Sequence, residues 1–417
     1  MGNRREHFGC GELDGGTAIP QTPNTGFTMR GWLAPVGIAL GFLLPFSVGT
    51  AMAQGTIVAH ADNAPIWGPA PKLIEELRIG SLSGADEYSF GMIGGVAVME
   101  DGTAWIGDRH LSAIRRFDPD GVYLGQVGRE GEGPGEFSYP LSIRVLPDGT
   151  VAVWDDGAVR VSLFTQEGEF LHSFRPETFM INSALLEEFE TDPAGNLYVI
   201  AMSDAFSESR RTFWIKTTPD GQVLDSVFLS GSSSSGTIDP IRTQVTLSPL
   251  GYLVKARNRE YTMEFPVKTG GVMRIEREWE PVRYERSERA EKQRLEEGFA
   301  ERNGRRPRRI PTEKPAFSLV RIDAEGRFWV QMHTPGYPDS ETPGEEARRE
   351  KYNGLKREWR EAFVCEVIEP SGQYLGRLEF PNRQTELAVA KGERVWVIEK
   401  GLYDEEYVVR YRIHPGS

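Results

Sequence analysis

The stretch Ile93–Val127, IGGVAVMEDGTAWIGDRHLSAIRRFDPDGVYLGQV, contains four short runs of β-branched and aromatic residues. Asp101-Gly102 separates the first run from the second, and Asp120-Gly121 separates the third from the fourth. An Asp-Gly pair between two such runs is typical of a tight hairpin turn, because glycine adopts positive φ without steric cost. The stretch therefore predicts a four-stranded antiparallel sheet.

The same pair of turns recurs along the 417-residue chain. The paired turn glycines are Gly102 and Gly121, Gly149 and Gly168, Gly195 and Gly221, Gly251 and Gly271, Gly326 and Gly372, and Gly392 and Gly416. Repeats of this length with four strands each are typical of propeller blades, whose radial arrangement protects the strand edges. The sequence thus predicts an all-β fold, a six-bladed β-propeller with four-stranded blades.

The last repeat has only three strand-like runs, TELAVA, RVWVIE and YVVRYRI, before the chain ends. A fourth run, KLIEELRI at Lys72–Ile79, precedes the first complete repeat. We therefore expect this N-terminal strand to close the last blade and so to join the two ends of the ring.

An apolar segment, Trp32–Ala53, follows Arg30 and ends in Ala51-Met52-Ala53, the pattern of a secretory signal peptide. An uncleaved membrane anchor is the alternative, since the segment is long enough to span a bilayer. The sequence predicts residues 1–28 as an extension before a start at Met29 rather than Met1, 29–53 as the signal peptide, 54–71 as a linker and 72–417 as the propeller. We expect a periplasmic or extracellular protein with no membrane span after cleavage.

Composition narrows the classes of partner. The net charge of −13 repels phosphate backbones, so nucleic-acid binding is disfavoured. Only Cys10 and Cys365 occur, and Cys10 leaves with the leader, so no internal disulfide is expected. We expect a monomer.

Two insertions interrupt the regular spacing, at 286–314 and 333–362. The first contains SERAEKQRLEEGFAERNGRR, and the second contains EEARREKYNGLKREWREAF, both charged and poor in β-branched residues. Each predicts a solvated helix, the second with a break at its glycine. Because connections between blades share a face with connections between second and third strands, both helical insertions are expected on one face, and such decorated faces commonly carry function.

A glycine-rich loop, GREGEGPGEF at Gly128–Phe137, joins the first two blades on the same face. Its polar side chains include Arg129 and Glu132. The loop is either a ligand-contacting or cation-binding segment or a shaped connector between blades.

Two stretches, WIGDRHLSAIRRFDPDG at Trp105–Gly121 and VWDDGAVRVSLFTQEGEF at Val153–Phe170, resemble NHL-repeat blades. In that pattern a strand ends in Asp, here Asp108 and Asp155, and a polar loop, an Arg-containing strand and an Asp-Gly-type turn follow. The resemblance implies a bacterial six-bladed propeller related to NHL repeats. Such propellers bind proteins or carbohydrates or act as lyases and hydrolases, so the resemblance leaves function open.

Candidate binding residues follow strand ends and loops on the decorated face: Asp108, Arg109, His110, Arg129, Glu132, Asp155, Asp156 and His333. If a metal binds, Asp108, Asp155 and Asp156 are the expected ligands, with calcium as the cation. In NHL blades, however, the Asp after the second strand can instead hold its own loop through backbone N–H groups. Histidines are too few to favour a zinc site.

These observations favour a secreted binding scaffold that uses the decorated face to recognise a protein, a peptide or a glycan, without a cofactor and more as a binder than as an enzyme. The alternative is a divalent-cation-dependent hydrolase or lyase, similar to a lactonase or esterase, with its site at the channel mouth.

Overall fold

The strands and helices described here come from a computed structural model. The structure describes residues 55–175, 189–203, 211–231, 243–268, 270–302, 304 and 306–416. The predicted leader extension and signal peptide, residues 1–53, lie outside this set. In the first half of the chain the strands are β1 (Thr56–His60), β2 (Lys72–Ile79), β3 (Ile93–Val98), β4 (Ala104–Asp108), β5 (Ala113–Phe117), β6 (Tyr123–Val127), β7 (Pro140–Val145), β8 (Val151–Asp155), β9 (Arg160–Phe164), β10 (Phe170–Phe174), β11 (Glu190–Thr191), β12 (Leu197–Ser203), β13 (Arg211–Thr217) and β14 (Val223–Gly231).

The second half of the chain contains the remaining strands and both helices of the described ranges. They are β15 (Thr243–Ser248), β16 (Tyr252–Arg257), β17 (Thr262–Pro266), β18 (Val272–Glu276), α1 (Arg286–Arg302), β19 (Phe317–Ile322), β20 (Phe328–Met332), β21 (Tyr337–Pro338), α2 (Pro343–Lys351), β22 (Trp359–Arg360), β23 (Val364–Ile368), β24 (Tyr374–Glu379), β25 (Thr385–Lys391), β26 (Arg394–Lys400) and β27 (Glu406–His414). Neither helix has the length and apolar content of a bilayer-spanning segment.

Six antiparallel sheets form the blades of a β-propeller, which confirms the predicted fold class. Blades 1 to 4 are β3–β6, β7–β10, β11–β14 and β15–β18; blade 5 is β19, β20, β23 and β24; blade 6 is β25, β26, β27 and β2. The innermost strands of all six blades line one central channel. Tryptophans on second strands, including Trp105, Trp154 and Trp329, are fully buried between blades.

The ring closes as the sequence predicts. Strand β2 pairs antiparallel with β27, from Lys72 opposite His414 to Ile79 opposite Val408. Blade 6 therefore takes one strand from the N-terminal part of the chain and three from its end. One predicted turn is wrong: Gly416 does not turn the chain into another strand, and its N–H instead donates to the carbonyl of Trp67 at 2.6 Å.

The structure places more than a linker in residues 55–71, which we call the strap. Strand β1 adds to blade 4 as a fifth strand, parallel to β18. The chain then crosses blade 5, where the N–H of Trp67 donates to the carbonyl of Leu375 at 2.8 Å and the indole is buried. Arg277 donates to the carbonyl of Ala61. The strap therefore ties blades 4, 5 and 6 together from outside.

The two sides of the ring differ. The hairpin turns between first and second strands and between third and fourth strands form one side, the turn face, where Gly102, Gly149 and Gly326 have positive φ as predicted. Connections between blades, and between second and third strands, form the other side, the loop face. Helix α1 lies between blades 4 and 5, and α2 lies between the second and third strands of blade 5, so both helices belong to the loop face.

The second insertion is helical over only half of the predicted segment. Helix α2 begins with a capping box, in which Thr342 accepts from the N–H of Glu345 and the Glu345 side chain accepts from the N–H of Thr342. It ends at Lys351 because Asn353 adopts a left-handed conformation, φ 48°, and the N–H of Gly354 donates back to the Arg349 carbonyl. The following residues are extended, and β22 pairs with β21.

Candidate functional site

Asp108 and Asp155 end the second strands of blades 1 and 2, and both are fully buried. Each carboxylate accepts three backbone N–H groups from its own blade or the adjoining loop. The donors are Gly91, His110 and Leu111 for Asp108, and Ser138, Tyr139 and Ala158 for Asp155, at 2.7–3.2 Å. Both carboxylates are therefore directed at the loops that they hold in place.

The candidate residues beside them lie on the loop face between blades 1 and 2. Arg109 lies over the ring of Tyr139, 5.4 Å from its centroid, and donates to the carbonyl of Gly94 at 3.3 Å. His110 is exposed. Asp156 accepts from the indole N–H of Trp154 at 3.4 Å. Within the described part of the chain, no three His, Cys, Asp or Glu side chains come together in a metal-binding arrangement.

The glycine-rich loop is braced by its own side chains. Arg129 pairs with Glu136 at 2.8 Å, and Glu136 also accepts from the N–H of Gly133. Phe137 is buried and contacts Phe164 across the blade interface, with ring centroids 5.7 Å apart. Glu132 is exposed, and its backbone carbonyl accepts from Arg160. The loop thus has a shaped connection to the core and three exposed charged side chains, Arg129, Glu130 and Glu132.

A cavity of about 680 Å³ on the loop face lies between α1, α2 and the segment 352–361, and we call it the interhelical cleft. Hydrogen bonds fasten the segment to α1: Arg294 donates to the carbonyl of Lys356 at 3.0 Å, and Glu291 accepts from the N–H groups of Glu358 and Trp359. A volume in this range fits a small ligand or a few residues of a peptide. Its apolar lining consists of Leu295, Phe299, Ile310, Tyr352, Leu355 and Trp359.

Carboxylates in the cleft are paired with cations of the surrounding elements. Glu345 binds Arg383 through both oxygens at 2.9 and 3.0 Å and also contacts Arg360. Burial alone would raise the pKa of Glu345, but the hydrogen bonds from Arg383 and the Thr342 N–H, with the charges of both arginines, lower it to about 2. Glu341 pairs with Arg349 at 2.8 Å. The Glu345–Arg383 pair fastens α2 to the connection between blades 5 and 6, and the Glu341–Arg349 pair braces the insertion internally.

Beneath α1 lies a buried ionic group that we call the Lys314 cluster: Lys314, Glu288, Glu361 and His333. Lys314 is inaccessible to solvent, and its ammonium contacts Glu288 at 2.7 Å and Glu361 at 3.2 Å. His333 Nδ1 lies 2.9 Å from Glu361. Burial would raise the pKa of Glu361, but His333 and the two lysines, Lys314 and Lys292, lower it to about 2. His333 is therefore placed beside the insertions rather than with Asp108 and Asp155.

The lowered pKa values predict how acid acts on the loop face. A carboxyl whose pKa falls from about 4.3 in the unfolded chain to about 2 in the fold stabilises the fold fully above the first value. That contribution is lost as the pH falls toward the second. We expect the free energy of unfolding, measured in urea, to drop between pH 5 and pH 3, and the drop to be smaller in Glu345→Gln and Glu361→Gln. An equal drop in all three proteins would contradict this assignment.

A smaller cavity, of about 220 Å³, lies in the central channel toward the turn face. Its charged side chains pair between neighbouring blades: Arg144 binds Glu190 at 2.5 and 3.0 Å, and Arg321 binds Glu386 at 2.8 Å. The cavity is about a third of the volume of the interhelical cleft. The loop face therefore offers the larger binding space.

Both insertions are apparent in the amino-acid sequence, but the residues that make the cleft are not. Glu288 resembles a solvated charge because it stands in the charged run SERAEKQRLEEGFAERNGRR, and nothing in PTEKPAF marks Lys314 as a buried residue. The signal that could have found part of the site is Thr342-Pro343-Gly344-Glu345, a capping-box pattern.

No protein-family model and no curated protein sequence matches the chain. Solved structures match by fold: a predicted exported protein of Bacteroides fragilis, 12% identical over 86% of this chain and 99% of that chain, with a TM-score of 0.48; a DUF4221 family member of Bacteroides vulgatus, 11% identical over 83% and 99%, with a TM-score of 0.46; and virginiamycin B lyase of Staphylococcus aureus, 11% identical over 82% and 99%, with a TM-score of 0.41. Likeness at this distance carries no argument about activity or ligand.

Proposed function

We propose that this protein is a secreted β-propeller scaffold that recognises a protein or peptide, or alternatively a glycan, through its loop face. The observation that carries the proposal is the interhelical cleft. Both insertions depart from the regular blade repeat, and they meet to form one cavity of about 680 Å³, in which six apolar or aromatic side chains lie among charged ones. Additions that enclose such a space on a regular scaffold are typical of binding loops.

Ion pairs fix the walls of the cleft before a ligand binds, which favours binding. Two ion pairs hold the walls in place: the buried pair of Lys314 with Glu288 below α1, and the partly buried pair of Glu345 with Arg383 below α2. Walls fixed before binding lower the conformational entropy lost when a ligand is ordered. Tyr352 is 69% exposed at the rim, where an aromatic ring can cover a bound group at little entropic cost.

The hydrogen bonds of Asp108 and Asp155 make a calcium-dependent active site at the channel mouth unfavourable. Asp108 and Asp155 direct their oxygens at backbone N–H groups of their own loops. A cation at these oxygens would compete with three hydrogen bonds at each residue. We therefore place the binding function at the cleft, and we propose no metal-dependent hydrolysis or lysis.

The test uses the labelled mature protein, Gln54–Ser417, on an array of random heptapeptides and on a glycan array. We expect binding to a subset of peptides, and we expect Tyr352→Ala to weaken it about tenfold, since burying an aromatic side chain contributes roughly 1.5–3 kcal/mol. Tyr403→Ala is the matched control, because Tyr403 is 61% exposed on the loop face and lies outside the cleft lining. Equal losses in both variants, or no loss in either, would reject the cleft as the site.

A further inference from the structure

The charges of the interhelical cleft point to the kind of ligand it takes, an inference that rests on the proposed function. We propose that the cleft selects peptide segments that carry a carboxylate next to apolar side chains. The lining contains seven cationic and six acidic side chains, although the whole chain has a net charge of −13. Lys314, directly behind the lining, adds a further positive charge. The cleft is thus locally positive on an acidic protein.

The acidic side chains of the lining are already engaged within the protein. Glu341, Glu345 and Glu361 are paired with arginine, lysine or histidine. Glu288 is paired with Lys314, and Glu291 accepts two backbone N–H groups. Glu296 accepts from the N–H of Arg308 at 2.8 Å. An incoming cation would have to displace these partners, which makes cationic ligands unfavourable.

Two arginines of the lining, unlike its acidic side chains, are not engaged with other described residues. Arg302, the last residue of α1, and Arg357, in the segment 352–361, are exposed, and the guanidinium of neither has a hydrogen bond or an ion pair in the described part of the chain. Arginine guanidinium groups bind carboxylates through paired N–H donors. These two side chains therefore offer N–H donors that are not engaged with other described residues of the protein and are open to a ligand.

The apolar side chains of the lining favour a peptide over a glycan as the ligand. Leu295, Phe299 and Leu355 offer aliphatic and aromatic surface without hydroxyl or amide partners for sugar hydroxyls. Burial of a polyol against such surface leaves its hydroxyl groups without hydrogen bonds, which is unfavourable. Leu or Phe side chains of a peptide gain by the same burial.

The first experiment uses two pairs of probes, and within each pair an anionic molecule is compared with a neutral one of similar shape. One pair is the anionic dye 1-anilinonaphthalene-8-sulfonate and the neutral dye N-phenyl-1-naphthylamine, both followed by fluorescence. The other is acetyl-Leu-Phe-Asp-amide and acetyl-Leu-Phe-Asn-amide, followed by calorimetry. We expect the anionic member of each pair to bind more tightly, and its affinity to fall between 50 and 500 mM NaCl while that of the neutral member stays constant.

The variant Arg302→Gln/Arg357→Gln assigns the charge preference. Both residues are exposed, so the fold is retained, and we expect the affinity for the anionic probes to fall about tenfold while that for the neutral probes changes less than twofold. The matched control is Arg175→Gln/Arg259→Gln, two exposed arginines outside the cleft lining, which should change neither.

The outcomes separate the two proposals. If anionic and neutral probes bind with equal affinity and the arginine variant has no effect, the proposed charge selectivity is overturned. The proposal that the cleft is the binding site then still holds, provided that Tyr352→Ala weakens binding. If no probe depends on Tyr352, the proposed function is overturned as well. Tighter binding of an oligoglucuronic acid than of the Asp peptide would reject the peptide assignment and leave only the preference for a carboxylate.

Discussion

A truncated chain that begins at Gly80, and therefore lacks the strap and β2, is expected to lose its cooperative unfolding transition. Strand β2 supplies the fourth strand of blade 6 through seven residue pairs with β27. Its removal exposes the edge of β27 and uncovers Tyr411 and Ile413, which are buried in the intact ring. Because a domain has a net stability of only roughly 5–15 kcal/mol, the loss of a whole strand and of ring closure is of comparable size. Differential scanning calorimetry measures the result.

The matched control for this truncation lacks only residues 54–60. It removes β1, whose side chains are mostly exposed, and it leaves β2 and Trp67 in place. We expect this control to melt cooperatively with a Tm lowered by a few degrees. Addition of a synthetic Pro71–Gly80 peptide to the longer truncation should restore a transition. A Tm within two degrees of the mature protein after removal of β2 would show that closure does not hold the ring.

Lys314→Met is expected to lower the stability of the mature protein by about 3–5 kcal/mol, because removal of one partner leaves a buried charge without compensation. The ammonium contacts Glu288 at 2.7 Å, and only 1% of the Glu288 side chain is exposed. Among the described residues, Glu288 would keep as its hydrogen-bond partner the N–H of Glu285 at 3.2 Å. We expect the Tm to fall on the order of 10 °C in a thermal melt.

A double variant shows whether the loss comes from charge or from packing. Glu288→Gln removes the carboxylate charge with little change in shape, so Lys314→Met/Glu288→Gln should be more stable than Lys314→Met alone. Lys351→Met, at an exposed position of α2, should leave the Tm unchanged. If the effects of the two cluster substitutions simply add, the ion pair is not the source of the stability.

The fold could be predicted because its determinants are local. Asp-Gly turns fix the hairpins, and the run Lys72–Ile79 is predicted and observed over the same residues. The strap was harder to predict, because TIVAH at Thr56–His60 is an isolated five-residue run whose partner β18 lies more than 200 residues away. Nothing in such a short segment specifies parallel pairing to a distant edge.

The candidate site was less predictable because its contacts are not local. Glu288 meets Lys314 across 26 residues, and Lys314 meets Glu361 across 47, through an insertion that has no repeat to compare with. Local reasoning also extended α2 too far, since the charged residues after Asn353 have helical propensity but follow a left-handed residue that ends the helix. Asp108 and Asp155 could be located from the NHL-like pattern, and their hydrogen-bond partners required the structure.

The central claim, that the interhelical cleft is where this protein binds its ligand, is tested most directly by hydrogen–deuterium exchange. The mature protein is compared with and without a saturating amount of the peptide that binds most tightly on the heptapeptide array. We predict slower exchange in α1, α2 and the segment 352–361, and unchanged exchange in the inner strands β3 and β19 that line the channel cavity. Protection confined to those inner strands, with none in either helix, would contradict the account.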